Sequence, residues 1–377
     1  MRKAFICPTK YVQGENELEN LGYFVKTFGD TALLIANPSD YERELPKIKK
    51  SEEKFGVKII ASPFGGECSR EEIAKQQAFA KEHNCSATIG LGGGKAIDTA
   101  KCVAEGENLI ICPTIAATDA PTSHSAVVYH EDHSFDDYFY FKQSPSVVLV
   151  DTSSVAGAPT RFLVSGMGDA LSTFFEARAN VRSFTKVNAG LPCGVREGVC
   201  PEARGTQAAF ALATLCYQNL LEYGVEAKQA CDENVVTPAL ENIIETNILL
   251  SGLGFESGGL GAAHALYDGF TVLEGQEAYM HGEKVAFGTI CQLVLEDAPK
   301  SEIKEVLDFC LSVGLPVCFS DMGVESYTDD DLRAVAEKAC IPEESIHALP
   351  NPLTIDGVVA AMKAADKIGS DYKKAHA

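Results

Sequence analysis

Apolar and polar positions change their rhythm near residue 155 of this chain. Before that point, short β-branched runs stand at "TALLIA" (31–36), "VKIIAS" (57–62), "SATIGLG" (86–92) and "NLIICPT" (108–114). Between them, "ENELENLGYFVKTFG" (15–29), "SREEIAKQQAFAKEHN" (69–84) and "KAIDTAKCVAEG" (95–106) carry helical spacing. Ser69 followed by Glu72 reads as a capping box at the front of the second. Strands alternating with helices predict βαβ units and a parallel sheet. "SAVVYHED" and "DDYFYFK" then alternate like a hairpin, and "PSVVLVDT" (145–152) closes the region.

After Asp151 strand-like runs nearly vanish. Helical patterns follow in "RFLVSGMGDALSTFFEARAN", "GTQAAFALATLCYQNLLEYG", "VTPALENIIETNILLSGLGF" and "GVVAAMKAADKIG". The expected organisation is an α/β domain over 1–157 and a helical domain over 158–377. The Gly-, Pro- and Cys-rich stretch 183–205 reads as a long loop or insertion between helices.

Charge narrows the partners. The 377 residues carry 32 basic and 53 acidic side chains, a net of -21. Such a surface repels a phosphate backbone and an anionic bilayer, so neither nucleic acid nor membrane is an expected partner. "KIKK" (47–50) and "YKK" (372–374) read as solvated helix faces. No apolar run reaches the length of a bilayer span, and the opening "MRKAFICPTKYVQGENE" does not read as a secretory signal. The 13 cysteines include no CxxC pair, which points to free, mostly buried thiols in a reducing cytoplasm.

Three stretches carry candidate chemistry. In "GLGGGKAIDTAK" (90–101) a strand runs into a helix through Gly92, Gly93 and Gly94. Without Cβ atoms the backbone admits a ligand closely, and the amides of the new helix favour an anion. Lys95 opposes the helix dipole unless a phosphate sits there. The spacing matches neither a P-loop nor GxGxxG, and a plain tight turn is the alternative. "CPTIAATDAPTSHSAVVY" (112–129) follows the next strand, with Thr114, Thr118, Thr122, Ser123, Asp119 and His124. Two consecutive strand ends with such turns fit one cofactor crevice; a surface loop with an Asx turn at Asp119 is the alternative. Asp169 stands in an apolar helical pattern, where an N-cap role competes with a functional one. His264 and His281 lie seventeen residues apart. One helix would separate them by roughly 25 Å, so only two converging helices could join them on a metal. With Asp169 they would make an open divalent site for zinc or ferrous iron.

Taken together, "PTKYVQG" (8–14), "GGGKAIDTAK" (92–101), "PTIAATDAPTS" (113–123), "VVLVDT" (147–152), "GMGDA" (166–170) and "HGEKVAFG" (281–288) resemble glycerol dehydrogenases. That group also holds iron-containing alcohol dehydrogenases, glycerol-1-phosphate dehydrogenases and dehydroquinate synthases. The resemblance implies a Rossmann-like α/β N-terminal domain with a parallel sheet, plus an all-α C-terminal domain that binds metal and substrate. It implies a homo-oligomer that oxidises glycerol to dihydroxyacetone with NAD, by hydride transfer from an alcohol whose oxygen the metal holds. Gly92, Gly93, Gly94 and Lys95 match the diphosphate turn. Thr114, Ala117, Thr118, Ser123 and Tyr129 match cofactor-contacting positions, and Ser125 lies where the nicotinamide would rest. Asp119 matches a substrate-contacting acid. Asp169, His264 and His281 match the ligands of one ion, normally zinc, with iron as the alternative.

Thr173 stands where iron alcohol dehydrogenases carry a further histidine, and "DALSTFFEAR" lacks the lysine of dehydroquinate synthases. Other readings are a dehydrogenase of another small diol or 2-hydroxy acid, a cyclase, or a sensor without catalysis. Asn37 takes the place of the acid that usually meets the NAD ribose, which leaves NADP use open. His124 is expected to point to solvent. The 183–205 insertion, with Cys193 and Cys200, reads as an oligomer contact or surface loop.

Overall fold

The computed structural model describes residues 2–190 and 202–376. Six strands form one parallel sheet: β1 (Lys10–Gly14), β2 (Thr31–Ala36), β3 (Lys58–Pro63), β4 (Ala87–Gly92), β5 (Leu109–Pro113) and β8 (Val147–Asp151). Their order is β1-β8-β5-β4-β2-β3. Helices α1 (Leu21–Phe28), α2 (Pro38–Phe55), α3 (Arg70–Glu82) and α4 (Gly94–Ala104) connect them. Strands β6 (Ser125–Tyr129) and β7 (Phe135–Tyr140) pair antiparallel as a separate hairpin.

The continuous apolar runs are explained by burial on both faces. In β2, Ala32 and Leu34 join the cluster beneath α1 and α2, with Ile89, Ile110 and Leu149. Leu33 and Ile35 face the other way, into a core that continues without a break into the helices after β8. Strand β1 is short and half-exposed, so its pattern does not register in the sequence. Helix α2 is polar on most of its surface, and of the "KIKK" lysines only Lys49 and Lys50 are solvated. Lys47 is largely covered and donates to Asp151 and to Ser153 and Ser154. The capping box at α3 is half formed: Ser69 accepts from the Glu72 amide, but the Glu72 carboxylate turns to the Gly65 amide instead.

The helical region comprises α5 (Thr152–Ala156), α6 (Thr160–Ser183), α7 (Gln207–Asp232), α8 (Pro238–Glu245), α9 (Ser251–Gly258), α10 (Ala262–Phe270), α11 (His281–Leu295), α12 (Lys300–Val313), α13 (Asp329–Ala339) and α14 (Ile355–His376). One π turn, Thr246–Leu250, joins α8 to α9. Helix α6 is the central member, packed between α7 and α11. The α6–α11 crossing is close because it is built on glycine. A Cβ on Gly282 would lie 1.8 Å from the Ser165 carbonyl oxygen, and one on Gly168 would lie 2.3 Å from that of Gly282. That approach sets where the first residue of α11, His281, meets α6.

Among the described residues no helix is long and apolar enough to cross a membrane. The described cysteines are all free and most are buried. Cys193 and Cys200, with the rest of 191–201 in the expected insertion, lie outside the described residues.

Candidate active site

The carboxyl ends of β2, β4 and β5 lie side by side, with Ala36 opposite Leu91 and Gly92 opposite Pro113. Gly92 has φ +139°, a conformation that an L side chain rarely adopts. The chain then enters α4 at Gly93, whose helix start has no side-chain cap. The first amides of α4 are therefore open to an anionic ligand. Lys95 projects from this turn and donates to Glu67 Oε2 at 2.7 Å, an oxygen that also accepts from His133 Nδ1 at 2.7 Å. Burial would raise the Glu67 carboxyl, but Lys95 and His133 outweigh it and bring its pKa below the usual value.

The second turn begins at Thr114, whose amide donates to the Gly92 carbonyl at 3.2 Å, so the two turns abut. Ala117 and Thr118 are partly exposed, and the Ala117 carbonyl accepts from Ser165 of α6 at 3.3 Å. Ser123 is buried; Ser125 and Tyr129 are half-buried on β6. A buried lysine that sequence reasoning passed over braces this turn. Lys101 of α4 is 1% exposed and donates to the Ala120 carbonyl at 2.7 Å, Ser123 Oγ at 2.9 Å and the Ser125 carbonyl at 2.8 Å. Its ion-pair partner Asp98 is buried, and burial pushes that carboxyl up despite Lys101. Lys101→Met is expected to cost about 3–5 kcal/mol, because it strands Asp98 and three acceptors. Chemical denaturation measures this, and an unchanged midpoint would show the brace to be dispensable.

His124 does not reach solvent. Its side chain is 1% exposed, and both its amide and its Nδ1 donate to Glu256 of α9. Helix α9 can come this close because Gly252 faces Thr122, where a Cβ would lie 1.9 Å from Thr122 Oγ1. Nor does Asp119 form an Asx turn: its side chain makes no cap bond, and its Oδ2 accepts from Ser251 Oγ at 2.7 Å.

Asp169 lies in the interior of α6, not at its cap, and is 1% exposed. Its Oδ2 accepts from the Asp119 amide at 3.2 Å. Its Oδ1 lies 3.1 Å from His281 Nε2 and 3.2 Å from His264 Nε2. One ligand atom from each of Asp169, His264 and His281 falls within 4.8 Å of the other two. The three come from α6, α10 and the first position of α11. The Tyr267 ring stands edge-on to His281, 4.3 Å between centroids.

Glu176 completes the cluster, and spacing rules did not single it out. It lies two helical turns after Asp169 on the same face of α6, and that i, i+7 pair of acids in an apolar helix is the signal that was available. Glu176 is fully buried; its Oε1 accepts from the amides of Gly261 and His264, at 2.8 and 3.0 Å. Its Oε2 accepts from His264 Nδ1 at 2.7 Å. A carboxylate only accepts, so His264 Nδ1 carries a proton, and loss of the proton on Nε2 would leave that nitrogen's lone pair toward Asp169 and His281, where a cation would displace it. Burial would lower the His264 pKa, but Glu176 and Asp169 overcome it and hold it well above the usual value. Asp169 is the reverse: burial would raise it, yet His281 and His264 keep it well below the carboxylate range. Asp119 is pushed well up, by burial first and by Asp169 second. A divalent cation would relieve both oppositions at one point.

The chain matches the iron-containing alcohol dehydrogenase family over residues 8–152. It is 44% identical to a glycerol dehydrogenase of Escherichia coli over 374 residues, covering 99% of each chain. A glycolaldehyde reductase of Halobacterium salinarum is 41% identical over 371 residues, covering 98% of each. The crystal structure of glycerol dehydrogenase from Schizosaccharomyces pombe superimposes with a TM-score of 0.92 at 35% identity, covering 99% of this chain and 93% of that one. The parallel sheet, the helical region that follows it, and near-complete coverage at this identity place the chain in the glycerol dehydrogenase family, within the iron-containing alcohol dehydrogenases.

Proposed function

We propose that the chain is an NAD-linked, divalent-metal-dependent dehydrogenase that oxidises glycerol to dihydroxyacetone. The observation that carries this reading is the 3.2 Å bond from the Asp119 amide to Asp169 Oδ2, which joins the cofactor-facing turn to the metal-ligand cluster. A cofactor on the first and an alcohol at the second would meet.

The donor set suits a divalent ion: one carboxylate oxygen and two imidazole nitrogens, one of them oriented by a buried acid. Three protein ligands leave a position for substrate, and we assign zinc to the site rather than iron. Thr173, one turn after Asp169, is hydrogen-bonded to Ser251 and supplies no fourth nitrogen. When bound, the ion supplies Lewis acidity that lowers the pKa of the substrate hydroxyl. Asp169, His264 and His281 hold that position in the cleft. Asp119, fixed by Ser251, orients the substrate by accepting from a hydroxyl when ionised or donating when protonated. The uncapped start of α4 and Lys95 take the diphosphate, with Gly92, Gly93 and Gly94 admitting it. Thr114, Ala117, Thr118, Ser123, Ser125 and Tyr129, on the second turn and β6, would contact the rest of the cofactor. The division at residue 157 would then separate a dinucleotide-binding domain from a metal- and substrate-binding one. We further propose a cytoplasmic homo-oligomer; size-exclusion chromatography tests the assembly, and the free thiols suit a reducing compartment.

The test is a substrate panel of glycerol, other small diols and 2-hydroxy acids, followed by NADH absorbance. The expected result is steady NADH formation with glycerol, lost on chelation and restored by zinc. Sustained turnover after complete chelation would sink the metal assignment. Absence of net NADH with every alcohol would favour the cyclase reading.

A further inference from the structure

Asn37 marks the end of β2, where an acid would be expected to meet the ribose of a dinucleotide, and its side chain caps nothing in α2. The next acid along the chain is Asp40, in the first turn of α2. One helical turn carries it back over the same sheet edge. Its Oδ1 accepts from Thr114 Oγ1, at the end of β5, at 3.2 Å. Its Oδ2 lies 3.2 Å from the point where a Cβ on Gly92, at the end of β4, would stand. This one carboxylate therefore spans the carboxyl ends of β2, β4 and β5. It stands beside the glycine turn, at the crevice where open α/β sheets bind nucleotides.

Arg43, on the same helix, reaches the same oxygen: its Nη2 donates to Asp40 Oδ1 at 2.8 Å, while its Nε donates to Glu44 at 2.8 Å. Asp40 thus engages Arg43. The geometry points to Asp40, not Asn37, as the group that reads the adenosine ribose and excludes its 2′-phosphorylated form. This rests on the dinucleotide reading above and settles the coenzyme choice that Asn37 leaves open. A carboxylate accepts hydrogen bonds from both vicinal hydroxyls of the ribose. The same carboxylate opposes a phosphate placed on either of them, and Arg43 cannot compensate while Asp40 holds it.

The experiment is calorimetric titration of the full chain with NADH and with NADPH, comparing wild type, Asp40→Asn and Asn37→Ala. Asparagine matches aspartate in size and keeps an acceptor for Thr114, and Asn37→Ala lies outside the Asp40 hydrogen bonds altogether. Wild type is expected to bind NADH in preference. Asp40→Asn should weaken NADH by ~10–100-fold, as expected for a lost hydrogen bond to a charged group, and should tighten NADPH. Asn37→Ala should leave the ratio unchanged. An unchanged ratio in Asp40→Asn, or a ratio that moves in Asn37→Ala alone, overturns the assignment while the dinucleotide reading stands. A wild-type chain that binds neither nucleotide overturns both.

Discussion

Alanine at position 281 is expected to leave a folded chain that retains no divalent ion and oxidises its alcohol on the order of 10³-fold more slowly, the several kcal/mol that Lewis-acid stabilisation contributes. His281 opens α11, its side chain is 29% exposed, and its neighbour Gly282, not the imidazole, makes the close crossing with α6. Removing the ring therefore opens a small gap at the cleft rather than a cavity in the core. Asp169 keeps His264 and the Asp119 amide as partners, so its charge remains matched. The glycine turn is untouched, and dinucleotide affinity should stay within a factor of about two, well below the effect of one lost hydrogen bond. Metal analysis, circular dichroism and a nucleotide titration separate these quantities. A His281→Ala protein that turns over at the wild-type rate without metal would end the scheme.

Glutamine at position 176 should weaken metal binding by about 10–100-fold without touching a ligand. The wild-type carboxylate accepts from three N–H groups: the amides of Gly261 and His264, and His264 Nδ1. A glutamine has one oxygen and one NH₂. If its oxygen meets the two amides, its NH₂ opposes Nδ1–H, and His264 is driven to carry its proton on Nε2, where the metal needs a lone pair. If the amide flips, two buried backbone donors lose their acceptor, at roughly 1–3 kcal/mol each. Either way the variant should both melt lower and take up zinc more weakly, read by thermal denaturation and by chelator competition. Unaltered zinc affinity would show that Glu176 only packs.

Much of the site was legible in the chain because its signals are local. Burial on both faces makes β2, β4 and β5 continuous apolar runs, and the requirement for φ +139° and for close approach marks Gly92 and its neighbours. The seventeen-residue spacing of His264 and His281 likewise required two helices for them to meet. The α/β region, the helical region and, through the family motifs, the candidate metal ligands all follow from short contiguous stretches of the chain.

What folding alone decided lies in pairs distant along the chain. Asp169 read equally well as a cap until α6 proved to run from Thr160 to Ser183 around it. Its nearness to His264 and His281 depends on how closely α11 crosses α6, which the glycines at 168 and 282 permit but do not announce. His124 looked like a surface residue because its partner, Glu256, lies more than a hundred residues on. Nothing in the sequence singles out Asp40; only the parallel register brings the ends of β4 and β5 beside it. A sequence determines which backbone conformations and which buried faces are available, since these follow from each residue and its near neighbours. Which polar groups share one low-dielectric site is decided by the packing of elements against one another, because a buried charge is tolerated only where its partner arrives.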